Sequence, residues 1–164
     1  MRFWIASEFH ESGDAMSDRL YPPRPIIAAS VAVFREGKVL LAARVNPPGA
    51  HVFSLPGGLV EIGETLEEAA LRELMEEVVV EARIIGFVGH VEVIERDAED
   101  KIRRHFVVNT FAAEWVSGEP KTGPEAAAVQ WTDPASLGGL AVTKGLSGIL
   151  EKAVRVMSET SLVR

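Results

Sequence analysis

The sequence predicts an α/β fold, a mixed β-sheet carrying helices on its faces, and three features predict it. Runs rich in Val and Ile come first, between 26 and 45, and return between about 82 and 131. One strong helix-start signal, at Thr65, interrupts them, and a second helical stretch closes the chain. Gly- and Pro-containing turns separate the runs, and no internal repeat or low-complexity tract competes with this reading.

Residues 1–25 read as a poorly structured N-terminal leader or arm, polar and mixed, ending in Tyr21-Pro22-Pro23-Arg24-Pro25, which favours extended backbone. Ile26 to Phe34 and Val39 to Val45 flank Arg35-Glu36-Gly37-Lys38 and read as a hairpin. Asn46-Pro47-Pro48-Gly49 is a loop, and Phe53-Ser54-Leu55 a short strand ending at Pro56-Gly57-Gly58. Thr65-Leu66-Glu67-Glu68 is a capping box opening a helix to about Val78. Strands follow at about 82–95 and 104–116, then a loop from Ser117 to Pro124 and a short strand Val129-Gln130-Trp131. A helical turn at Pro134 to Leu137 and a final helix from Thr143 to Ser158 complete a domain at 26–158, leaving 159–164 as a tail.

The formal net charge of −7 argues against a broad electrostatic grip on nucleic acid, which leaves a basic footprint. An anionic ligand would need local cations instead, metal ions or a few arginines. With no cysteine, thiol catalysis, disulfides and zinc–thiolate sites are excluded. No apolar run approaches the roughly 20 residues needed to span a bilayer, and the first 20 residues do not read as a secretory signal. A cytoplasmic protein without a membrane partner is the simplest expectation.

On a helical wheel, Leu71, Leu74, Met75 and Val78 gather on one side, the side expected to pack on the sheet. Glu73, Glu76 and Glu77 fall opposite, with the small Ala69 and Ala70 leaning towards them. Like charges at this spacing destabilise a helix by a few tenths of a kcal/mol, so the patch is either a solvated face or a cation site. Hard cations take oxygen ligands, which suits carboxylates. Gly57-Gly58 permits close backbone approach, Glu64 sits just before the helix, and Arg72 is placed to bond a nearby carboxylate.

Together, Gly58-x5-Glu64-x7-Arg72-Glu73-Leu74-x-Glu76-Glu77 resembles the signature of the Nudix hydrolases. The resemblance covers roughly residues 26–158. It implies an α/β/α sandwich around a mixed β-sheet and hydrolysis of a nucleoside diphosphate linked to another group, with Mg²⁺ or Mn²⁺. It further implies that Glu73 and Glu77 are metal ligands and that Glu76 is a further ligand or the proton acceptor. The carbonyl of Gly57 is a further ligand by the same resemblance, with Arg72 and Glu64 an ion pair holding the motif loop against the helix and Gly58 a structural glycine. The cations would neutralise phosphate oxygens and activate a water for attack on phosphorus.

Outside the signature, Glu125 resembles the loop glutamate that several Nudix members bring to the metals; Glu92 and Glu95 are weaker alternatives. Arg44, Arg103 and Arg104 are candidate phosphate contacts, and Phe53, Phe87 or Trp115 candidate stacking partners. The stretch from Arg103 to Glu119 is similar to members acting on ADP-ribose and nucleotide sugars, with nucleoside triphosphate pyrophosphohydrolysis as the alternative. A sensing module without catalysis would tend to lose signature carboxylates, and a diphosphate-ester isomerase would call for a cysteine. The implied partner is a small nucleotide, and a homodimer is left open. One position departs from the family pattern: Val79 stands where glycine normally ends the helix. Valine is costly in a left-handed cap, so the helix is expected to end differently, passing directly into a strand.

Overall fold

In the computed structural model, which describes residues 19–45 and 51–161, the first apolar runs form β1 (Ile26–Arg35) and β2 (Lys38–Arg44). Residues 1–18, 46–50 (the expected loop among them) and 162–164 lie outside the described residues, as does the side chain of Arg44. Glu36 at φ 51° and Gly37 at φ 77° make the two-residue turn whose twist matches the strands it joins. Tyr21 ties residues 19–25 down: its N–H donates to the Arg103 carbonyl at 2.9 Å and its hydroxyl to Asp97 Oδ2 at 2.9 Å.

β1 pairs with β2 at Phe34–Val39 and Arg35–Lys38, whereas its earlier half, Ala28 to Ser30, pairs with β4 (Gly57–Leu59). The motif glycines therefore form a short strand of their own instead of ending one. The sheet forks at this point. One branch carries β2 with β3 (Phe53–Ser54) and β7 (Ala126–Thr132); the other is β4. On its far side β1 runs parallel to β6 (Ile102–Ser117), from Ile26–Phe106 to Phe34–Glu114. The edge strand β5 (Glu81–Arg96) returns antiparallel to β6, so the sheet is mixed.

Helix α1 (Leu66–Val78) covers one face, its Leu74 and Val78 packing with Ala29, Val31 and Val33 of β1, all fully buried. Helix α2 (Leu146–Ser161) covers the other, its Leu150 and Ala153 packing with Ala32 and Leu41. The layers are those of the expected α/β/α sandwich. Among the described residues, no helix is long and apolar enough to cross a membrane.

Beyond shifts of a residue or two at strand ends, the elements after β6 differ from the sequence reading. β7 begins at Ala126, three residues before the expected strand. Residues 134–137 form no helix; the Asp133 carboxylate and carbonyl accept from the N–H groups of Ala135 and Ser136 and close a turn instead. α2 starts at Leu146, because the Thr143 N–H is bonded to the Phe53 carbonyl and Gly145 adopts φ 83°. It runs on to Ser161, into the segment expected as a tail.

The end of α1 is the larger surprise. Val79 takes the left-handed cap at φ 60°, ψ 42°, and its N–H donates to the Met75 carbonyl at 3.1 Å. The cap geometry persists with the unfavourable residue. Neighbours hold it: the Lys121 N–H bonds the Val78 carbonyl at 3.0 Å, and Gly118 packs so tightly on the Val79 carbonyl that a Cβ there would collide with it. Val79 is 45% exposed, so its side chain recovers little by burial.

Val79→Gly is therefore expected to raise the unfolding free energy by about 0.5–1 kcal/mol, the relief of strain less the greater chain entropy of glycine. Urea denaturation measures it, and a loss of stability would mean that the valine side chain packs for more than its backbone costs.

Candidate active site

Thr65 caps α1 as its sequence dictates, its hydroxyl accepting from the Glu68 N–H at 3.2 Å and the Glu68 carboxylate accepting from the Thr65 N–H at 2.8 Å. That cap fixes the phase of the helix, and the phase corrects the wheel. The face against the sheet is Ala69, Ala70, Glu73, Leu74, Glu77 and Val78. Glu73 is 1% exposed and Glu77 3%, while Met75, assigned to the core side, is 38% exposed. Ala69 and Ala70 are core residues and leave no open space. Of the three acids only Glu76 is largely in solvent.

Two carboxylates can be buried here because partners were built for them. A buried charge without hydrogen bonds costs several kcal/mol. Arg72 supplies the compensation for Glu73: Nη1 donates to Glu73 Oε1 at 2.9 Å and to Glu76 Oε2 at 3.1 Å, while Nε and Nη2 donate to Glu64 at 2.6 and 3.0 Å. Its Nη2 also donates to the Leu59 carbonyl at 2.9 Å, tying the loop after β4 to the helix. The hydrogen bond from Arg72 holds the Glu64 carboxyl below its usual range. Burial pushes Glu73 up, against the pull of Arg72, and the charges of Glu76 and Glu125 push the same way.

The glycines make the approach possible. Gly58 lies directly against the Glu73 carboxylate, where any Cβ would overlap it, and Gly57 is pressed onto Ala29 and Ser30 of β1. The Gly57 N–H points at Glu77 Oε2 at 3.4 Å. Glu125 precedes β7 across the fork; its carbonyl accepts from the Val45 N–H at 3.2 Å, and its charge is felt at Glu73.

The buried Glu73 Oε2 accepts no hydrogen bond. Among the described residues, no three His, Asp or Glu side chains already form a coordination cluster. A hexacoordinate cation that keeps several waters does not need one; one or two carboxylates and substrate oxygens suffice.

The remaining candidates scatter. Arg104 turns to Glu95 at 3.7 Å, and Arg103 offers its carbonyl to Tyr21; both lie beside the turn that closes the β5–β6 hairpin. Glu92 is exposed, as is Phe87, which packs edge-on against Phe111. Trp115 is engaged elsewhere, its ring 4.1 Å under the Arg35 guanidinium and its Nε1 donating to the Gly118 carbonyl. Sequence reasoning missed a small cavity of about 40 Å³ beside Gly57, under the first turn of α2. Hydroxyls line it in pairs, Ser30 with Thr110 at 2.9 Å and Thr143 with Ser54 at 3.2 Å. A serine inside the apolar run of β1 was the available signal.

Comparison with known proteins gives the family. The NUDIX domain family matches residues 24–152. The ADP-ribose pyrophosphatase of Methanocaldococcus jannaschii is 34% identical over 128 residues, 78% of this chain and 73% of that protein. The NAD-capped RNA hydrolase NudC of Pectobacterium carotovorum is 30% identical over 66% of this chain, which spans only 38% of NudC. A MutT NUDIX hydrolase from Burkholderia pseudomallei superposes with a TM-score of 0.68 at 28% identity, covering 79% of this chain and 98% of that one. The chain belongs to the Nudix family and is a pyrophosphohydrolase of that family.

The Glu64–Arg72 pair makes a pH-dependent prediction. Because the folded-state pKa of Glu64 is depressed, its contribution is complete above the unfolded carboxylate range, near 4.3, and is lost as pH falls through the folded value. Glu64→Gln should cost about 1–2 kcal/mol at pH 7 and much less near pH 3. Urea midpoints at both pH values test this; an equal deficit at both would sink the ionic account.

Proposed function

We propose that this Nudix hydrolase cleaves the diphosphate of a nucleoside diphosphate joined to a second group, ADP-ribose or a related nucleotide sugar, with Mg²⁺ or Mn²⁺ as cofactor. The observation that carries the reading is the Glu73 carboxylate, buried against Gly58 with Oε2 accepting no hydrogen bond. A fold that buries such an oxygen gains by placing a hard cation on it.

On this reading Glu73 and Glu77 hold the cation, with the Gly57 carbonyl and Glu76 as further ligands. Bound there, a divalent cation neutralises phosphate oxygens and lowers the pKa of a coordinated water. Glu76 and Glu125 are the candidate proton acceptors: Glu76 is exposed on the helix, and Glu125 precedes β7 on the other branch of the sheet, near enough for its charge to push the Glu73 carboxyl up. Arg72 orients the carboxylates, fully engaged with Glu64, Glu73, Glu76 and the Leu59 carbonyl, and so does not itself bind phosphate. Water adds to one phosphorus and the bridging oxygen leaves with the other, so ADP-ribose gives AMP and ribose 5-phosphate.

The resemblance to the archaeal ADP-ribose pyrophosphatase, which this chain matches over most of its length, supports the substrate class. NudC acts on an NAD cap, again a diphosphate between two organic groups.

Glu77→Gln should lower kcat by at least about a hundredfold while the thermal midpoint without metal stays within a few degrees. Mg²⁺ or Mn²⁺ should raise the midpoint of the wild type by binding the folded state, and raise that of Glu77→Gln far less. Phosphate release over ADP-ribose, other nucleotide sugars, dinucleoside polyphosphates and normal or oxidised dNTPs completes the test. Full activity in Glu77→Gln would remove the metal assignment, and preferred cleavage of dNTPs would remove the substrate class.

A further inference from the structure

A second hollow lies at the other end of β4. It is an open groove of about 600 Å³ between residues 19–27 and the loop after β4, with Arg19, Arg24, Pro25, Ile27, Leu59 and Val60 on its walls. Its volume falls within the range of small-molecule sites, roughly 300–1,000 Å³. The outer wall is built, not draped. Pro22, Pro23 and Pro25 fix their own backbone, and Tyr21 clamps the segment to the Arg103 carbonyl and Asp97. The inner wall is continuous with the candidate active site: the Val60 N–H bonds the Ile27 carbonyl at 3.1 Å, and the Leu59 carbonyl accepts from Arg72.

The two hollows differ in chemistry. The cavity beside Gly57 has aliphatic walls and hydroxyls already bonded to one another, and it carries no charge. The groove carries guanidinium groups, which only donate hydrogen bonds. Arg24 is exposed and makes no hydrogen bond or ion pair with any described residue, in a chain of net charge −7 where most arginines near the site are engaged with carboxylates. Both hollows touch the three-residue strand β4, so a diphosphate lying along Gly57–Leu59 would send one substituent towards each.

We propose that the groove binds the sugar-phosphate arm of the substrate, the part joined to the nucleoside through the diphosphate, and that Arg24 hydrogen-bonds its acceptor oxygens. The inference rests on the two-armed substrate proposed above. It makes Arg24 a specificity residue: it separates substrates that carry a second arm from nucleotides that do not.

The test is calorimetric titration of the full chain in Mg²⁺ with two ligands that resist cleavage. They are α,β-methylene ADP-ribose and α,β-methylene ADP, which lacks the arm. Arg24→Ala should weaken the first about fivefold to tenfold, the loss of one charged hydrogen bond at a solvent-exposed site, and Arg24→Glu more. Binding of α,β-methylene ADP should stay within about twofold in both variants, because that ligand places no group in the groove. Unchanged binding of the ADP-ribose analogue in Arg24→Glu overturns the groove assignment. Equal weakening of both ligands also overturns it, since Arg24 would then act by general anion attraction or on the nucleoside. Absence of binding by either ligand to the wild type overturns the groove together with the substrate reading, whereas the other two failures leave that reading intact.

Discussion

The site depends on one guanidinium. Arg72 joins the loop to the helix through Glu64 and the Leu59 carbonyl, and in the same plane it compensates Glu73 and Glu76. Without it, the acids of α1 would face one another at helical spacing with Glu73 in the core, and a buried carboxylate left alone would protonate or unfold the turn around it. The rigid fork of arginine suits this work because its donors diverge in a fixed plane. Lysine offers a point charge and cannot reach loop, core carboxylate and surface carboxylate together. The effect of Arg72 is therefore mechanical as well as electrostatic: it sets where the loop after β4 lies, and so where the groove beside that loop opens.

Backbone geometry makes the burial possible. The fork between β4 and the β2 branch opens the sheet beside Gly57, and the absence of a side chain at Gly58 lets the Glu73 carboxylate sit against the strand. At the far end of the same helix the fold accepts a valine in the left-handed region and braces it with Gly118 and Lys121. Both features cost stability, and both fall on the helix that carries the acids. Local rules are commonly broken where function constrains a chain.

The sequence made the elements legible wherever a local rule decided them. The Glu36-Gly37 turn, the capping box at Thr65 and the two long β-branched runs needed no tertiary information. The grouping of Glu73, Glu76, Glu77, Glu64 and Arg72 was likewise readable from spacing. The orientation of that group was not. A wheel sends charge to water by default, and Glu73 and Glu77 defy it only because Arg72 and the glycines of β4 supply contacts distant in sequence. The start of α2 failed for a similar reason: Thr143 looks like a cap but is taken by the Phe53 backbone. Arg24 carried no signal at all, since its place depends on Tyr21 meeting a hairpin more than 70 residues away.

Charge is the remaining constraint. The candidate centre gathers Glu73, Glu76, Glu77 and Glu125, and the charges of Glu76 and Glu125 are already strong enough to be felt at Glu73. A diphosphate brings further negative charge to the same place. Arg72 cannot offset it, because its donors are committed to the protein. Arg104 is turned to Glu95, and Arg103 holds Tyr21 through its carbonyl at the turn end of the β5–β6 hairpin. On the proposed function, then, bound cations would hold the phosphates, and Arg24, which makes no hydrogen bond or ion pair with any described residue, would sit beyond the diphosphate, where it can select the group attached to it. Such a division lets an acidic protein bind an anion tightly at one point while repelling polyanions over the rest of its surface.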